Sequence, residues 1–487
     1  MNKKAFFTSL FAAAAMFTLA ACSNKSDTGQ KTDAESGTVT LKIAYKDDNS
    51  SNKAAVKYYK ELSKVLKKSG NLNVKFEIVD LPSESYADKL ALQISSGNIP
   101  DIIYFQGGDA QFAQQKVLED LRPYVKDSKY LKDMMTEVNT RRLENYPYLL
   151  WIKPNRASVP VVKKRVLDQV ADQASLMADP TSANYTALLK ALIGKSDGTG
   201  NAASYGITTA GTVAELDNAF KMSFGLDKTW IQQDGKYVWS GVSDKEKDKL
   251  TFYKKLYDEG ILDKEFLTKQ WDTKEQAFYD GKSGMILGTT GKVIDMYNQK
   301  TQDLSGDTLV ALDPAKGASQ GYGATDLSKE SRGLAISSQS KHKEVAFQVL
   351  DFLGSPEGQL LDRFGYKGEE YNIVDGKIDF TDKEANWYAR FWEPRKLNVK
   401  YELAKPLMSA VAEDSLDKVD KFYTADNAFV IPDDLTTQWD AATNVFNEFE
   451  ADVITGKKPI SSFDAYIKSW QDAGGKAVTD YANKHLK

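Results

Sequence analysis

Between residues 39 and 105 the chain alternates between short apolar runs and stretches of helical period, and this order constrains the fold more than any other feature. Residues of alternating polarity predict strands over 39–45 and 74–79, and a continuous apolar run predicts a buried strand over 102–105. Between these runs, apolar residues recur at the spacing of one helix face, at Val56, Tyr59, Leu62, Leu66, Tyr86, Leu90 and Ile94. The resulting β-α-β-α-β order predicts an α/β lobe with a largely parallel sheet.

The second half of the chain repeats this pattern with more helix. Strands are predicted over 284–287 and 332–336, and a helix is predicted from Val293 onward. Further helices are predicted over 184–194, 244–259, 383–392, 405–421 and 435–455, with two more over 461–487 that are broken at Gly474-Gly475. We therefore expect an α/β fold of two lobes, each visited more than once by the chain. The expected lobes are 39–155 plus 293–345 and, mostly helical, 156–292 plus 346–487.

The balance of charged and reactive residues excludes several classes of function. With 68 acidic and 64 basic residues the formal net charge is −4, which argues against a nucleic-acid-binding protein. One cysteine cannot form an internal disulfide, and two histidines leave little material for a zinc site or a Ser-His-Asp triad. We expect no metal, no cofactor and no catalytic residue, and we interpret the chain as a protein that is not an enzyme.

The N-terminus has the features of an exported, lipid-anchored chain. Lys3 and Lys4 precede an uncharged stretch of apolar and small residues, so residues 1–21 are interpreted as a signal peptide. The block Leu19-Ala20-Ala21-Cys22 resembles a bacterial lipobox, which assigns lipid attachment, including palmitate, to Cys22. Residues 22–38 are polar and without periodicity, and we interpret them as a flexible tether. The protein is expected on the outer, extracellular face of the cell membrane.

Five blocks rich in glycine, proline and aromatic residues follow one another along the chain. They are 96–103, 278–285, 333–336 with 354–358, 365–368 with Tyr371, and 454–457 with Phe463, Asp464, Trp470 and Asn483. In their order and spacing, together with the lipobox, they resemble the extracellular solute-binding proteins of carbohydrate ABC importers (family 1 type, long-chain subgroup). The resemblance implies a lipoprotein of a Gram-positive bacterium with a periplasmic-binding-protein-like fold, whose two hinged lobes close on a sugar in the cleft. It also implies membrane permease subunits as partners, and we expect a monomer.

One departure from this family concerns a calcium loop that some long-chain relatives carry. The matching stretch is 195–206, where Lys195 and Ala203 stand at positions expected to hold carboxylates and Asp197 is nearly alone. The sequence therefore argues against a high-affinity calcium site in this loop.

A sugar-binding site needs flat aromatic rings for the C–H faces of the sugar and polar groups for its hydroxyls. Because loops at the carboxyl ends of parallel strands converge on the ligand crevice, residues that follow predicted strands are the first candidates. These residues are Asn49, Glu84, Gln106, Thr289 and Thr290, joined by Tyr322, an aromatic residue between two glycines on a loop that we expect to be mobile. Asn49 could equally cap a helix, and Glu84 could be an exposed capping carboxylate.

The richest aromatic cluster lies in the predicted helix 383–392. On a helix, Trp387 and Phe391 would share one face and Tyr388 and Trp392 the neighbouring face, so that one pair would be core and the other would face the cleft. Trp387 and Trp392 are the predicted sugar platforms. Three further tryptophans rank lower because their surroundings indicate hairpin or helix packing: Trp230, Trp239 and Trp271.

The function favoured by these observations is capture of a carbohydrate, an oligosaccharide, by hinge closure and its delivery to an ABC permease. The alternative is a membrane-anchored, glycan-hydrolysing enzyme that uses a carboxylate pair. Adjacent acids such as Glu369-Glu370 or Asp433-Asp434 are expected by chance among 68 acidic residues, and adjacency in sequence is not the geometry that such a pair needs. An adhesin or scaffold would not need a hinged fold. A host-glycan-derived or pectin-like ligand fits the family resemblance. The negative net charge argues against a strongly anionic glycan unless local residues such as Arg390 and Arg395 offset it.

Overall fold

The computed structural model describes residues 37–198, 201–322, 332–384, 387 and 389–486. Its strands are β1 Val39–Ala44, β2 Val74–Ile78, β3 Ile102–Gln106, β4 Ser158–Lys163, β5 Tyr205–Ile207, β6 Trp230–Gln233, β7 Lys236–Trp239, β8 Ser283–Thr289, β9 Leu309–Ala311, β10 Arg332–Ile336, β11 Tyr371–Val374, β12 Lys377–Phe380 and β13 Glu402–Leu403. Its helices are α1 Lys53–Val65, α2 Tyr86–Ser95, α3 Ala110–Gln114, α4 Arg122–Asp127, α5 Leu131–Met134, α6 Glu137–Asn145, α7 Lys164–Leu167, α8 Gln173–Ala178, α9 Ser182–Leu192, α10 Ala214–Phe220, α11 Asp244–Asp258, α12 Trp271–Tyr279, α13 Lys292–Ser305, α14 Lys343–Phe352, α15 Pro356–Phe364, α16 Ala410–Lys421, α17 Asp433–Ile454, α18 Phe463–Trp470 and α19 Lys476–His485.

The first sheet joins distant parts of the chain in the order β10-β3-β1-β2. β1 pairs in parallel with β2 and β3, and β10 runs antiparallel to β3. The predicted β-α-β-α-β order is confirmed, and the carboxyl ends of β1, β2 and β3 lie at one edge of the sheet. α1 begins after Asn52, whose side chain accepts hydrogen bonds from the backbone N–H groups of Ala54 and Ala55.

The second sheet is mixed and has the order β5-β8-β4-β9. β4 is antiparallel to both β8 and β9, whereas β5 is parallel to β8. β8 is buried at each residue from Ser283 to Gly288, as expected for a central strand covered on both faces. Its last residue, Thr289, lies opposite Ser158 at the start of β4.

Two large clusters of buried apolar side chains form the cores, one around each sheet. Their membership differs from the predicted lobe boundaries. α14 contributes Phe347 and Leu350 to the core of the first sheet, because it follows β10 directly and folds back over that sheet. α13 packs with the second sheet, with Ile294 and Tyr297 beside Val159, because it connects two strands of that sheet.

The predicted helix over 383–392 is wrong, since no α-helix forms among the described residues of this segment. The cause is the carboxylate of Asp362 on α15, which is fully buried. It accepts hydrogen bonds from the backbone N–H groups of Arg390, Phe391 and Trp392, each at 3.1 Å. In a helix these N–H groups would bond carbonyls four residues earlier, so the carboxylate replaces the helical pattern.

The C-terminal helices pack beside α11 and the β6-β7 hairpin. The hairpin turns through Asp234 and Gly235, both at positive φ (52° and 76°). The predicted break at Gly474-Gly475 is confirmed, because Gly474 has non-helical backbone angles between α18 and α19. None of the helices in the described ranges combines the length and apolar character that a bilayer crossing needs.

Candidate functional site

The predicted polar contacts of the first sheet lie at or just after the ends of three different strands, at its carboxyl edge. Asn49 follows β1 and is half-buried, and its Oδ1 accepts from the backbone N–H groups of Ser51 and Asn52 at 3.1 and 2.8 Å. Its side-chain oxygen therefore stabilises the turn before α1. Glu84 follows β2 and is exposed, and Gln106 ends β3 in a half-buried position beside β10.

The two threonines predicted at the end of β8 differ in their burial and in their hydrogen bonds. Thr289 is half-buried at the end of the strand. Thr290 is buried, its hydroxyl donates to the carbonyl of Asn155 at 3.0 Å, and its backbone N–H donates to the carbonyl of Ala157 at 3.1 Å. Thr290 thus holds the connection that leads into β4, whereas the side chain of Thr289 is partly exposed.

Two of the predicted sugar-binding aromatics are core residues, contrary to the prediction. Tyr322 is 3% exposed, and its hydroxyl donates to the carbonyl of Leu312 at 2.7 Å. Trp392 is fully buried, and its Nε1–H donates to the carbonyl of Leu350 at 2.9 Å. A ring with both faces covered and its polar atom paired offers no platform to a sugar.

Trp387 is half-buried against the first sheet's core. Its Nε1–H donates to the carbonyl of Asp362 at 2.8 Å, and its ring packs edge-on to Tyr366 at 5.2 Å between ring centres. This position fixes the ring and leaves part of it exposed. Cys22, the predicted lipid attachment site, lies outside the described residues.

A cavity of about 450 Å³ lies among α10, α11 and α17 and the end of β7. Its volume falls within the range of about 300–1,000 Å³ that is typical of small-molecule sites. The lining is neither purely apolar nor purely polar, because aromatic rings, amides, hydroxyls and charged groups alternate around it. The cavity thus combines aromatic rings with several polar groups.

The aromatic wall of the cavity is formed by Trp239 and Trp439, both half-buried. Their rings meet edge-to-face at 83° with 5.6 Å between centres. Trp470 stacks on Trp239 at 5.2 Å with an interplanar angle of 6°, so the Trp239 ring is held rigidly. Gly241 permits this arrangement, since a Cβ at that position would lie 2.3 Å from the Trp239 ring. The wall offers fixed, partly exposed indole faces of the kind that pack against sugar C–H groups.

Another part of the cavity wall is charged. Lys249, fully buried on α11, has its Nζ 2.8 Å from Asp217, 2.9 Å from Glu246 and 3.6 Å from Glu450. The hydroxyl of Tyr253 donates to Asp217 at 2.9 Å. The wall thus presents carboxylate oxygens, which accept hydrogen bonds strongly from hydroxyl groups.

Burial and mutual proximity shift the protonation of this cluster. Burial is the largest cause that raises the pKa of Glu450; Lys249 opposes the shift, the charges of Asp217 and Glu246 add to it, and the net value is about 8. Burial also raises the pKa of Glu246. Burial lowers the pKa of Lys249, but the three neighbouring carboxylates outweigh that effect and the net direction is upward. The ammonium is therefore charged at neutral pH, whereas the Glu450 carboxyl is largely protonated.

Comparison with known families decides what kind of site this is. The sequence profile of the family described as "Bacterial extracellular solute-binding protein" matches residues 47–360. The chain belongs to this family of extracellular solute-binding proteins. Membership also excludes the hydrolytic alternative, because this is a family of binding proteins without catalysis, and the cavity is accordingly a candidate ligand site.

Three similar proteins are only distantly related in sequence to this solute-binding protein. Lipoprotein LipO of Bacillus subtilis (strain 168) is 24% identical over 439 residues, covering 83% of this chain and 84% of LipO. The polygalacturonan/rhamnogalacturonan-binding protein YtcQ of the same organism is 21% identical over 436 residues, with 83% and 84% covered. The crystal structure of the N-glycan transport solute binding protein NgtS of Streptococcus pneumoniae superimposes with a TM-score of 0.65 at 16% identity, covering 92% of this chain and 100% of NgtS. This likeness confirms the predicted two-lobed α/β fold.

The sequence placed Trp239 among hairpin-packing residues, and that interpretation missed its contact with the cavity. A usable signal lay in α17, where Trp439, Thr443, Phe446 and Glu450 follow at intervals of four, three and four residues and so share one helix face. An apolar-aromatic face that also carries a carboxylate and a hydroxyl is typical of a helix that lines a polar cavity rather than a plain core.

In the described part of the loop at 195–206, the acid Asp197 lies beside a lysine of β4. Asp197 is 3% exposed and forms an ion pair with Lys163, which is also buried and donates to the carbonyl of Tyr279 at 3.2 Å. The carboxylate is thereby neutralised from within the protein. Across the described ranges, no group of three or more His, Cys, Asp or Glu side chains is arranged to hold a metal ion.

Proposed function

We propose that this solute-binding protein captures an oligosaccharide in the cavity between Trp239 and Lys249 and delivers it to the permease of an ABC importer. The observation that supports the proposal is the pairing of a rigid two-tryptophan wall with a wall of carboxylate acceptors in a cavity of about 450 Å³. A sugar ring has both features that these walls match: C–H faces and peripheral hydroxyl donors.

The names of similar proteins support a glycan over other solutes. YtcQ is named for binding polygalacturonan and rhamnogalacturonan, and NgtS for N-glycan transport. A transport protein has to release its cargo, so we expect micromolar or somewhat tighter affinity, about −8 to −10 kcal/mol.

The remaining sequence-predicted contacts fit a ligand that reaches beyond the cavity. Asn49, Glu84, Gln106 and Thr289 are exposed or half-buried at strand ends. We propose that they, with the exposed part of Trp387, contact the ligand when the hinged lobes close. We also propose that the lobes follow the two cores, with α14 in the lobe of the first sheet and α13 in the lobe of the second.

We further propose that the mature protein is held at the outer face of the cell membrane by a lipid on Cys22. The lipobox-like block before Cys22 supports this, and LipO is named as a lipoprotein. The polar residues 23–38 would then serve as the tether.

The experiment that tests the ligand class is a thermal-shift screen of neutral and acidic oligosaccharides and of peptides, followed by calorimetry on the compounds that bind. Trp239→Ala should weaken binding of the best oligosaccharide at least tenfold, because it removes one indole platform. Trp271→Ala is the matched control, since Trp271 is 44% exposed at the start of α12 and does not line the cavity. A stabilising shift with peptides and with no oligosaccharide would overturn the proposal.

A further inference from the structure

The polar wall of the cavity holds more carboxylates than its buried lysine can neutralise. Asp217, Glu246 and Glu450 all point at the ammonium of Lys249. Glu450 is 9% exposed, lines the cavity, and its Oε1 has no hydrogen-bond partner within the part of the chain that the structure describes. The wall is therefore rich in acceptors, and it carries excess negative charge once its carboxyls ionise.

The charged residues at the rim of the cavity do not offset the negative charge of the polar wall. Its lysines, Lys221 and Lys228, are matched by Asp227 and Asp426. The ammonium of Lys228 also donates to the backbone carbonyl of Ala425. The rim is thus close to neutral, and the excess charge of the buried wall remains.

The arginines that the sequence offered as anchors for an anionic glycan are already engaged. Arg390 is buried, with its Nε 3.0 Å from a carboxylate oxygen of Asp48. Arg395 contacts Glu413, Asp417 and Asp420 at 3.3, 2.5 and 3.2 Å. Neither guanidinium is left to pair with a sugar carboxylate.

We infer that the cavity accepts glycans whose inserted sugars carry no carboxylate, and that the cluster of Asp217, Glu246 and Glu450 rejects uronate-bearing glycans of the same size. The inference rests on the proposed function and narrows its substrate class. A hydroxyl donates to a carboxylate in a charge-assisted hydrogen bond, whereas a uronate brings a like charge next to the wall. Like charges a few ångströms apart in a poorly hydrated site repel strongly enough to lower affinity tenfold or more.

The test compares neutral trisaccharides with their C6-oxidised counterparts by calorimetry at low salt and at pH 9, above the pKa of about 8 of Glu450, so that its carboxyl is ionised. The probes are cellotriose, maltotriose, galactotriose and mannotriose, each paired with the corresponding uronate trisaccharide. We expect the uronate of a binding pair to bind at least tenfold more weakly than the neutral sugar. Equal or tighter binding of the uronate would overturn the inference while leaving the proposed function intact. Binding of neither series would overturn the proposed function and this inference with it.

Two variants test whether the carboxylate cluster causes the preference for neutral over uronate-bearing glycans. Asp217→Asn and Glu450→Gln each keep the size of the side chain and remove one carboxylate, and each should reduce the neutral-to-uronate affinity ratio about threefold or more. Glu448→Gln is the matched control, because Glu448 lies on the same helix with its side chain 73% exposed, and it should leave the ratio unchanged. A ratio that stays at its wild-type value in both cluster variants would assign the selectivity to another part of the site. If one cluster variant fails to fold, the other still decides the question.

Discussion

At the scale of single residues, burial determines what each charged or aromatic group can do. Arg390 and Lys163 are charged residues that the fold uses internally, in ion pairs with Asp48 and Asp197. Trp392 has the same chemistry as Trp239, yet its ring is fully covered whereas Trp239 is half-exposed at a cavity. Residue type therefore sets the possible chemistry, and packing selects the residues that can meet a ligand.

Glu450→Gln should reduce the loss of stability that the protein suffers at alkaline pH. Burial raises the pKa of Glu450 from 4.5 to about 8, with Asp217 and Glu246 adding to the shift and Lys249 opposing it, and Tyr466 on α18 also faces it. A carboxyl with a raised pKa stabilises the folded state most below its ordinary pKa, and this contribution is lost as pH rises through about 8. Urea denaturation at pH 5.5 and pH 9 should therefore show a smaller decrease in unfolding free energy for Glu450→Gln than for the wild type.

The control for this measurement is Glu448→Gln, which changes the same charge on an exposed part of α17. It should follow the wild-type pH dependence. A wild-type protein whose stability does not fall between these pH values would contradict the raised pKa of Glu450.

At the scale of elements, hydrophobic period predicts a helix or strand well where no buried polar group competes for the backbone. The strands β1, β2 and β3 and the helices α9, α11 and α17 lie where their patterns predict them, because apolar spacing alone determines which face they bury. The segment 383–392 has a helical pattern but meets the carboxylate of Asp362, which is distant in sequence. The spacing of residues along the sequence does not reveal such a long-range partner, so the absence of a helix here could not be predicted.

Asp362→Ala should strongly destabilise the protein. The carboxylate accepts from three backbone N–H groups and from the hydroxyl of Tyr58 at 2.8 Å, all of them buried. Each buried donor left without an acceptor costs about 1–3 kcal/mol, so we expect a loss of about 3 kcal/mol or more in unfolding free energy. Asp362→Asn keeps one acceptor oxygen and should lie between Asp362→Ala and the wild type in chemical denaturation.

The comparison for this prediction is Asp382→Asn, an exposed aspartate in the turn close to the same segment. Its unfolding free energy should stay within about 0.5 kcal/mol of the wild type. Equal stability of Asp362→Ala and the wild type would show that the 389–392 segment finds other acceptors.

At the scale of the whole molecule, the alternating pattern and the family resemblance predicted the fold, while the lobe boundaries required the tertiary contacts. α14 belongs with the first sheet and α13 with the second because each packs on the sheet whose strand precedes it. The candidate site was predicted only in part for a related reason. Strand ends could be located from the sequence, but the cavity arises where α10, α11 and α17 converge from distant segments.

Ligand binding should both stabilise and compact the protein if the proposed contacts act together. The cavity is lined by elements beside the second sheet, whereas Asn49 and Gln106 lie at the edge of the first sheet. An oligosaccharide that touches both groups favours the closed arrangement, which lowers the radius of gyration measured by small-angle scattering. At a concentration 100 times its dissociation constant, the ligand should raise the unfolding free energy by about 2.7 kcal/mol. At that ligand concentration a tenfold weaker Trp239→Ala should gain only about 1.4 kcal/mol, and a still weaker one less. Stabilisation without compaction would show that the cavity binds its ligand alone, and the contacts proposed for the first sheet would then be wrong.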